Sequence, residues 1–406
     1  MNKIIYLDYA ATTPCDPRVL EEMLPYFVEK FGNSSSLHWH GQKALSALSA
    51  ARGHVCELLN AEFEEIVFTS GATESTWITI TRTIQSLSTK KQSRILTLKT
   101  EHKATLDCVN QLKANGISVG FLDIQSDGIL DLQYLKSSIT DDVGLLSICL
   151  VNNETGVLQD IKSIVEICHS KDVLVHVDAT QAFGKIPVDV KALDIDFLSA
   201  SGHKIYGPKG VGILYCKRKN VNFIKVPRAN YDVEFGIRAG TVPVPLCVAI
   251  GKAAQIAKKE MLSDLKKIKR LRKRFITGVI SRLDEIYING SQTSNYSGIV
   301  NISFRGCEGE ALMMEADKLA VSSGSACTSN RLSISHVLEA MGVLADIAQS
   351  SLRISIGKIT SDNEIDVAID SLIMGAEKLR QMSPVWDMIE AGVNVDKIFQ
   401  RGCHAV

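Results

Sequence analysis

Leu174-Val175-His176-Val177-Asp178-Ala179-Thr180-Gln181 and Asp196-Phe197-Leu198-Ser199-Ala200-Ser201-Gly202-His203-Lys204 are the stretches whose reading decides the fold. Each is a largely apolar run that stops abruptly, the first at Asp178 and the second at small residues leading into Lys204. A strand that is apolar throughout, with no polar face, is covered on both sides, as in a parallel sheet flanked by helices. Working outward, similar runs predict strands at Glu65–Thr69, Arg94–Leu98, Ser118–Asp123, Leu145–Val151 and Gly212–Tyr215, with helical patterns such as Ala104–Asn115 and Ile161–His169 between them. That alternation predicts an α/β fold built on a large, mostly parallel sheet.

The pattern changes after about Val242. A long charged helix is expected over Ala249–Arg282, including the basic run Lys266 to Arg274, whose ordinary reading is a solvated face. Strands at Ile299–Phe304 and Leu352–Ile356 and helices at Glu308–Lys318 and Ser333–Met341 then suggest a smaller α+β domain. The expected division is a large domain over 15–260 and a small one formed by 1–14 with 261–406.

With 406 residues, 45% of them hydrophobic and 22% charged, the chain is long enough for two cores. Lys plus Arg and Asp plus Glu balance at 45 each, which argues against nucleic acid as a direct partner. The longest apolar run, Val143 to Val151, is too short for a bilayer, and Asp8 interrupts any signal-like start. A cytoplasmic protein without a membrane partner is expected. The ten cysteines form no Cys-x-x-Cys pair and read mostly as core residues. Cys403-His404-Ala405-Val406 matches a prenylation box in spacing only, and His38, His40 and Cys307 are too scattered for a metal site, so no metal is expected.

Lys204 by itself would be a surface lysine. Its place at a strand end, before Gly207-Pro208-Lys209-Gly210, puts it at the carboxyl edge where open α/β sheets bind ligands. Asp178, closing a buried strand, needs a cationic or hydrogen-bonding partner, and a protonated pyridine nitrogen is one. Upstream, Thr69-Ser70-Gly71-Ala72-Thr73-Glu74 joins a strand to a helix with small residues, a turn that exposes backbone N–H groups to an anion. Phosphate cradle, carboxylate and lysine, in that order on three strand ends, point to pyridoxal phosphate (PLP).

These motifs, together with Tyr6-Leu7-Asp8-Tyr9-Ala10-Ala11-Thr12-Thr13-Pro14, Thr100-Glu101-His102-Lys103, Val151-Asn152-Asn153-Glu154, Ser322-Ser323-Gly324-Ser325-Ala326-Cys327-Thr328-Ser329 and Ser383-Pro384-Val385-Trp386, occur in the order of a known family. The chain resembles, nearly end to end, the fold-type I PLP enzymes of the class-V aminotransferase branch, and within them the IscS/NifS-type cysteine desulfurases. The resemblance implies that Lys204 holds PLP covalently and moves the substrate Cα proton, that Asp178 pairs with the ring nitrogen, and that Gln181 bonds the ring hydroxyl. It implies that His102 stacks on the ring, and that Ala72, Thr73, Ser201 and His203 bind the phosphate. Thr241 would reach the phosphate of a neighbouring subunit in a homodimer. Asn153, beside the cofactor, would hold the carboxylate of L-cysteine with Arg353. Cys327, in a stretch of tiny residues, would take the sulfur as a persulfide and pass it to an iron–sulfur scaffold or a tRNA-thiolation carrier, its thiol activated by His102 or by the substrate amine.

Four departures stand out. Asn230-Tyr231-Asp232-Val233-Glu234-Phe235 replaces a Gly-rich run, Thr76-Trp77 follows Glu74-Ser75 where Asn-rich residues are usual, Gly32-Asn33-Ser34 lacks a proline, and Gln349 replaces a His. A selenocysteine lyase, or a weakly catalytic partner-binding paralogue, stays open as an alternative at this level.

Overall fold

The computed structural model describes residues 4–87, 92–225, 233–323, 334–396 and 398; Cys327 lies outside them, as do Asn230, Tyr231 and Asp232. Seven strands form the main sheet, ordered Ile66–Thr69, Gly212–Cys216, Phe197–Ser201, Leu174–Asp178, Val143–Cys149, Arg94–Leu98 and Val119–Leu122. The five strands from Phe197–Ser201 to Val119–Leu122 pair in parallel. Gly212–Cys216 runs antiparallel to both of its neighbours. The segment joining it to Phe197–Ser201 holds only the one-turn helix Gly202–Lys204, too little chain for the crossover that parallel pairing needs. Phe197–Ser201, Val143–Cys149, Ile66–Thr69 and Gly212–Cys216 are buried along their whole length, as their apolar runs require.

Helix Val244–Ile280 runs 37 residues, about 55 Å at 1.5 Å per residue. It starts five residues before the expected Ala249, because Pro243 and Pro245 fit a first turn that lacks N–H acceptors. Its first half, with Cys247, Ile250 and Ala254, packs into the core of the main sheet. There Gly251 lets it approach helix Trp39–Leu59 so closely that a Cβ would fall 2.5 Å from the Ala51 Cα. Its second half, with Ile268, Leu271, Phe275 and Val279, packs into a separate core around a four-stranded antiparallel sheet of Ile286–Asn289, Ile299–Phe304, Ser351–Ser355 and Ser322–Ser323.

The basic run of this helix is not simply solvated. Arg274 and Arg282 meet Asp366 and Asp370 at 2.6 Å each, and Arg270 meets Asp362, all three carboxylates being on helix Asp362–Arg380. These pairs are about half exposed, so they fix the alignment of two helices more than they add stability.

Residues 5–16 lace the two cores together. Ile5–Tyr6 pairs in parallel with Leu319–Ala320, and Leu7 is fully buried in the smaller core. The segment then crosses to the main sheet, where Thr13 N donates to His203 O (3.0 Å) and Asp16 N to Tyr206 O (2.9 Å). No helix among the described residues is long and apolar enough to cross a membrane.

At the opposite edge, His169 at the end of helix Ile161–His169 reaches Asp196 (2.8 Å from Nε2) and Asp194 (3.0 Å from Nδ1). The Asp196 hydrogen bond, more than its charge or that of Asp194, lifts the imidazole above its ordinary value and outweighs burial. A group whose pKa rises on folding stabilises fully below its unfolded value, about 6.5 for histidine, and loses that contribution as pH climbs through the folded value. His169→Gln should therefore lower the thermal midpoint more at about pH 5.5 than at about pH 8.5. Midpoints measured for both proteins at both pH values check this, and an equal loss at the two would refute it.

Candidate active site

The carboxyl edge of the main sheet opens onto a cleft of about 530 Å³. Ser70, Gly71, Ala72 and Thr73 line one end, where strand Ile66–Thr69 turns into helix Ala72–Leu87. The first N–H groups of a helix have no acceptor of their own and favour an anion. Gly212 sits so close beneath this turn that a Cβ would fall 2.6 Å from the Gly71 Cα. Ser75 Oγ, donating to Ile213 O at 2.9 Å, ties the helix to the same strand.

Asp178 is buried, yet lines the cleft, and one carboxylate oxygen accepts from Thr180 N at 2.9 Å. Two residues back, His176 is hydrogen-bonded to Ser147 Oγ (2.8 Å) and Ser199 Oγ (2.7 Å). Burial pushes its imidazole down to about 4, so it is a neutral spacer between strands. Lys204 Nζ donates to the carbonyls of Ala10 and Ala11, both at 2.6 Å. Gln181 donates from Nε2 to Ala10 O (2.9 Å), and its Oε1 accepts from Lys185 Nζ (2.7 Å). His203 Nδ1 lies 3.0 Å from Thr12 Oγ1. Burial, then Lys204, Lys209 and Lys185, push its imidazole down to about 4.

His102 caps helix Lys103–Ala114, its Nδ1 accepting from Ala104 N at 3.1 Å. An accepting Nδ1 is unprotonated, so the neutral ring carries its proton on Nε2. Desolvation lowers this imidazole's pKa, against the pull of Asp178. Across the cleft, Arg353 comes from the smaller sheet. Its Nη2 donates to Asp8 (2.8 Å) and its Nη1 to Asn153 O (3.1 Å), while its Nε is buried without a partner. An unpaired guanidinium N–H beside a cleft is a donor suited to a carboxylate.

Ten of the expected residues thus line one cavity: Ala72, Thr73, His102, Asn153, Asp178, Gln181, Ser201, His203, Lys204 and Arg353. Thr241 is exposed and does not line the cleft of its own chain, and Cys327 falls outside the described residues. The sequence reading missed four contributors. The Ala10 and Ala11 carbonyls act through backbone, so side-chain chemistry could not reveal them. Lys185 and Glu101 are hidden behind the wall. Cys149 lines the cleft near Glu101 and Asp178, whose charges join burial in raising its thiol well above the usual value. The thiols of all eight described cysteines are raised, with burial the leading cause in each. None of the eight is disposed to be a nucleophile at neutral pH.

The chain matches the family described as Aminotransferase class-V over residues 5–367. It is 46% identical over 395 residues to the cysteine desulfurase IscS of Rickettsia africae, covering 97% of this chain and 96% of that protein. It is 47% identical over 401 residues to the IscS of a Shewanella species, covering 98% and 99%. The chain belongs to the cysteine desulfurases of the class-V aminotransferase family. Among solved structures, this desulfurase superposes on a NifS-like protein with a TM-score of 0.84 at 33% identity, covering 91% of this chain and 98% of the other. It superposes on SspA in complex with cysteine with a TM-score of 0.77 at 32% identity, covering 88% and 99%. The α/β fold and the fold-type I resemblance are therefore borne out.

Glu101 sets a measurable feature of the site. Its Oε1 accepts from Cys149 N at 2.8 Å, its Oε2 is buried without a partner, and burial pushes its carboxyl up to about 8. A carboxyl raised on folding stabilises below its unfolded value, about 4.3, and loses that contribution as pH rises through the folded one. Glu101→Gln keeps the acceptor for Cys149 and removes the titration. The variant should gain thermal stability relative to the native chain as pH rises from about 5 to about 8, and a flat difference across that range would overturn this reading.

Proposed function

We propose that the cleft binds PLP and that the chain uses it to move sulfur from L-cysteine to Cys327, releasing L-alanine. The observation that carries this reading is the convergence of Asp178, Lys204 and Arg353 on one cavity. The residues fit the cofactor: an anion-ready helix start, a buried carboxylate at ring depth, and an amine held by two carbonyls. PLP, when bound, supplies an electron sink for charge developing at the substrate Cα.

The chain's own residues do the rest. Ala72, Thr73, Ser201 and His203 hold the phosphate. Asp178 keeps a proton on the ring nitrogen, and the Gln181 amide bonds the ring hydroxyl. His102 would lie against the ring, and Lys204 would move the proton at Cα. Arg353 and Asn153 hold the substrate carboxylate, the guanidinium already oriented by Asp8. The Cys327 thiolate attacks the substrate sulfur. An S–S bond forms, the Cβ–S bond breaks with its electron pair left on carbon, and that carbon takes a proton, so cysteine plus thiol becomes alanine plus persulfide. A solved relative described as being in complex with cysteine supports the substrate. An iron–sulfur scaffold or a tRNA-thiolation carrier is the acceptor class, and a cytoplasmic location goes with it.

The working unit is a homodimer. Leu24, Phe27, Val28, Phe31, Leu37 and Trp39 are all exposed, Leu37 at 92%, and so many large apolar groups in one short stretch suit a partner surface. Thr241, exposed outside its own cleft, serves the partner's phosphate. Each subunit divides into a large domain, 15–260, and a small one, 1–14 with 261–406, in keeping with the two cores that meet along helix Val244–Ile280.

Two experiments test this. Incubated with L-cysteine and no reductant, the native protein should gain one sulfur atom by intact mass, on the Cys327 peptide. Cys327→Ser should still change the visible spectrum on adding L-cysteine while alanine formation falls by orders of magnitude. Sulfur on another cysteine, or normal turnover of the variant, refutes the assignment. Separately, mixing inactive Lys204→Ala with inactive Thr241→Ala should restore part of the activity once subunits exchange, and a fully active monomer in sedimentation would end the dimer claim.

A further inference from the structure

Behind the wall of the cleft lies a lysine that the reaction does not call for. Lys185 is half-buried, and among the described residues it forms no ion pair with a carboxylate. Its Nζ donates to Gln181 Oε1 at 2.7 Å and stands 5.8 Å from the centre of the Tyr296 ring. It lines a small cavity with Tyr9, Tyr206, Asp264, Tyr296 and Lys358, separate from the cofactor cleft that Gln181 lines. Burial, reinforced by the positive charges of Lys204 and Arg353, drives its pKa well below the usual lysine value. Placing an amine there carries a desolvation cost. Packing alone would be met by a leucine or methionine of similar size.

What the amine does is fix an amide. The carboxamide of Gln181 has two chemically different ends of nearly the same shape. The Ala10 carbonyl can only accept and therefore takes the nitrogen, and Lys185, at the other end of the amide, donates to the oxygen, so both contacts favour the same orientation. With Oε1 turned back to Lys185 and one Nε2 hydrogen on Ala10 O, the second Nε2 hydrogen remains for the cleft that Gln181 lines. Flipped, the same side chain would present an acceptor, repelling an ionised ring oxygen.

We propose that Lys185 is a positioning residue that locks the Gln181 amide with its N–H toward the cofactor's ring hydroxyl. This rests on the reading of Gln181 as the hydroxyl's donor. An N–H donated to that oxygen favours its ionised form, so removing it raises the pH midpoint of the bound cofactor's visible absorption band.

A double-substitution cycle on the PLP-loaded enzyme tests this. Lys185→Met removes the donor at similar volume, with Lys185→Leu as the substitute should the former not hold cofactor. Gln181→Leu removes the amide. Both single variants should raise the midpoint in the same direction and weaken PLP binding several-fold. In the Gln181→Leu background, Lys185→Met should shift the midpoint no further, because its effect passes through the amide. If Gln181→Leu leaves the midpoint unchanged, the reading of Gln181 fails and this proposal falls with it. If Gln181→Leu shifts the midpoint but the lysine substitution does not, or adds an equal shift in the double variant, the proposal alone is overturned.

Discussion

Parallel strands end on the same edge of a sheet, and the rest of this molecule depends on that constraint. Thr69, Asp178 and Ser201 finish strands that point the same way, so residues far apart in sequence arrive at one rim without any one segment having to bend toward another. The strands themselves are too well buried to move, which makes the rim a rigid mount. A carboxylate, an amine and a helix start can then be held at fixed separations by apolar packing alone. The polar groups at the rim are aligned by the sheet and hydrogen-bonded by neighbours.

Much of this was legible in the sequence because buried strands leave a strong signature. The runs at Leu174–Asp178 and Arg94–Leu98 are bounded in the structure as the apolar pattern bounds them. The polar residue that closes a run is conspicuous, and so Asp178 and Lys204 could be singled out before any coordinates. The direction of Gly212–Cys216 was not legible, since burial looks the same whichever way a strand runs, and only the shortness of the preceding connection decides it. The partners of the basic run on the long helix were not legible for a different reason. Its acidic counterparts, Asp362 and Asp366, lie on a helix nearly a hundred residues downstream, and helical spacing on one element says nothing of the face it will meet.

The wall behind the site is unusually rich in ionisable groups that burial holds near neutrality. His176 is kept unprotonated between two serine hydroxyls, and Glu101 is kept protonated with one oxygen unpaired. Such groups contribute dipoles rather than charges. They leave Asp178 as the carboxylate at the cleft wall without a competing buried anion beside it, and they keep neighbouring strands in register by hydrogen bonds that a purely apolar wall would lack. None of this is visible from residue type, because a buried His or Glu is spelled like an exposed one.

The lacing of residues 5–16 across both cores has a consequence for how the chain is made. Ile5 and Leu7 complete a core whose other members, from Ile268 to Ala376, are synthesised long after them. Ile5 and Tyr6 must therefore wait for their strand partners until Leu319 and Ala320 emerge, a closure of more than three hundred residues. The Ala10 and Ala11 carbonyls that hold the Lys204 amine arrive with that closure. The residues of the main sheet are thus all synthesised before Leu319 and Ala320 can pair with residues 5–6, so a chain cut short of them carries the lysine without the pairing that helps set its place.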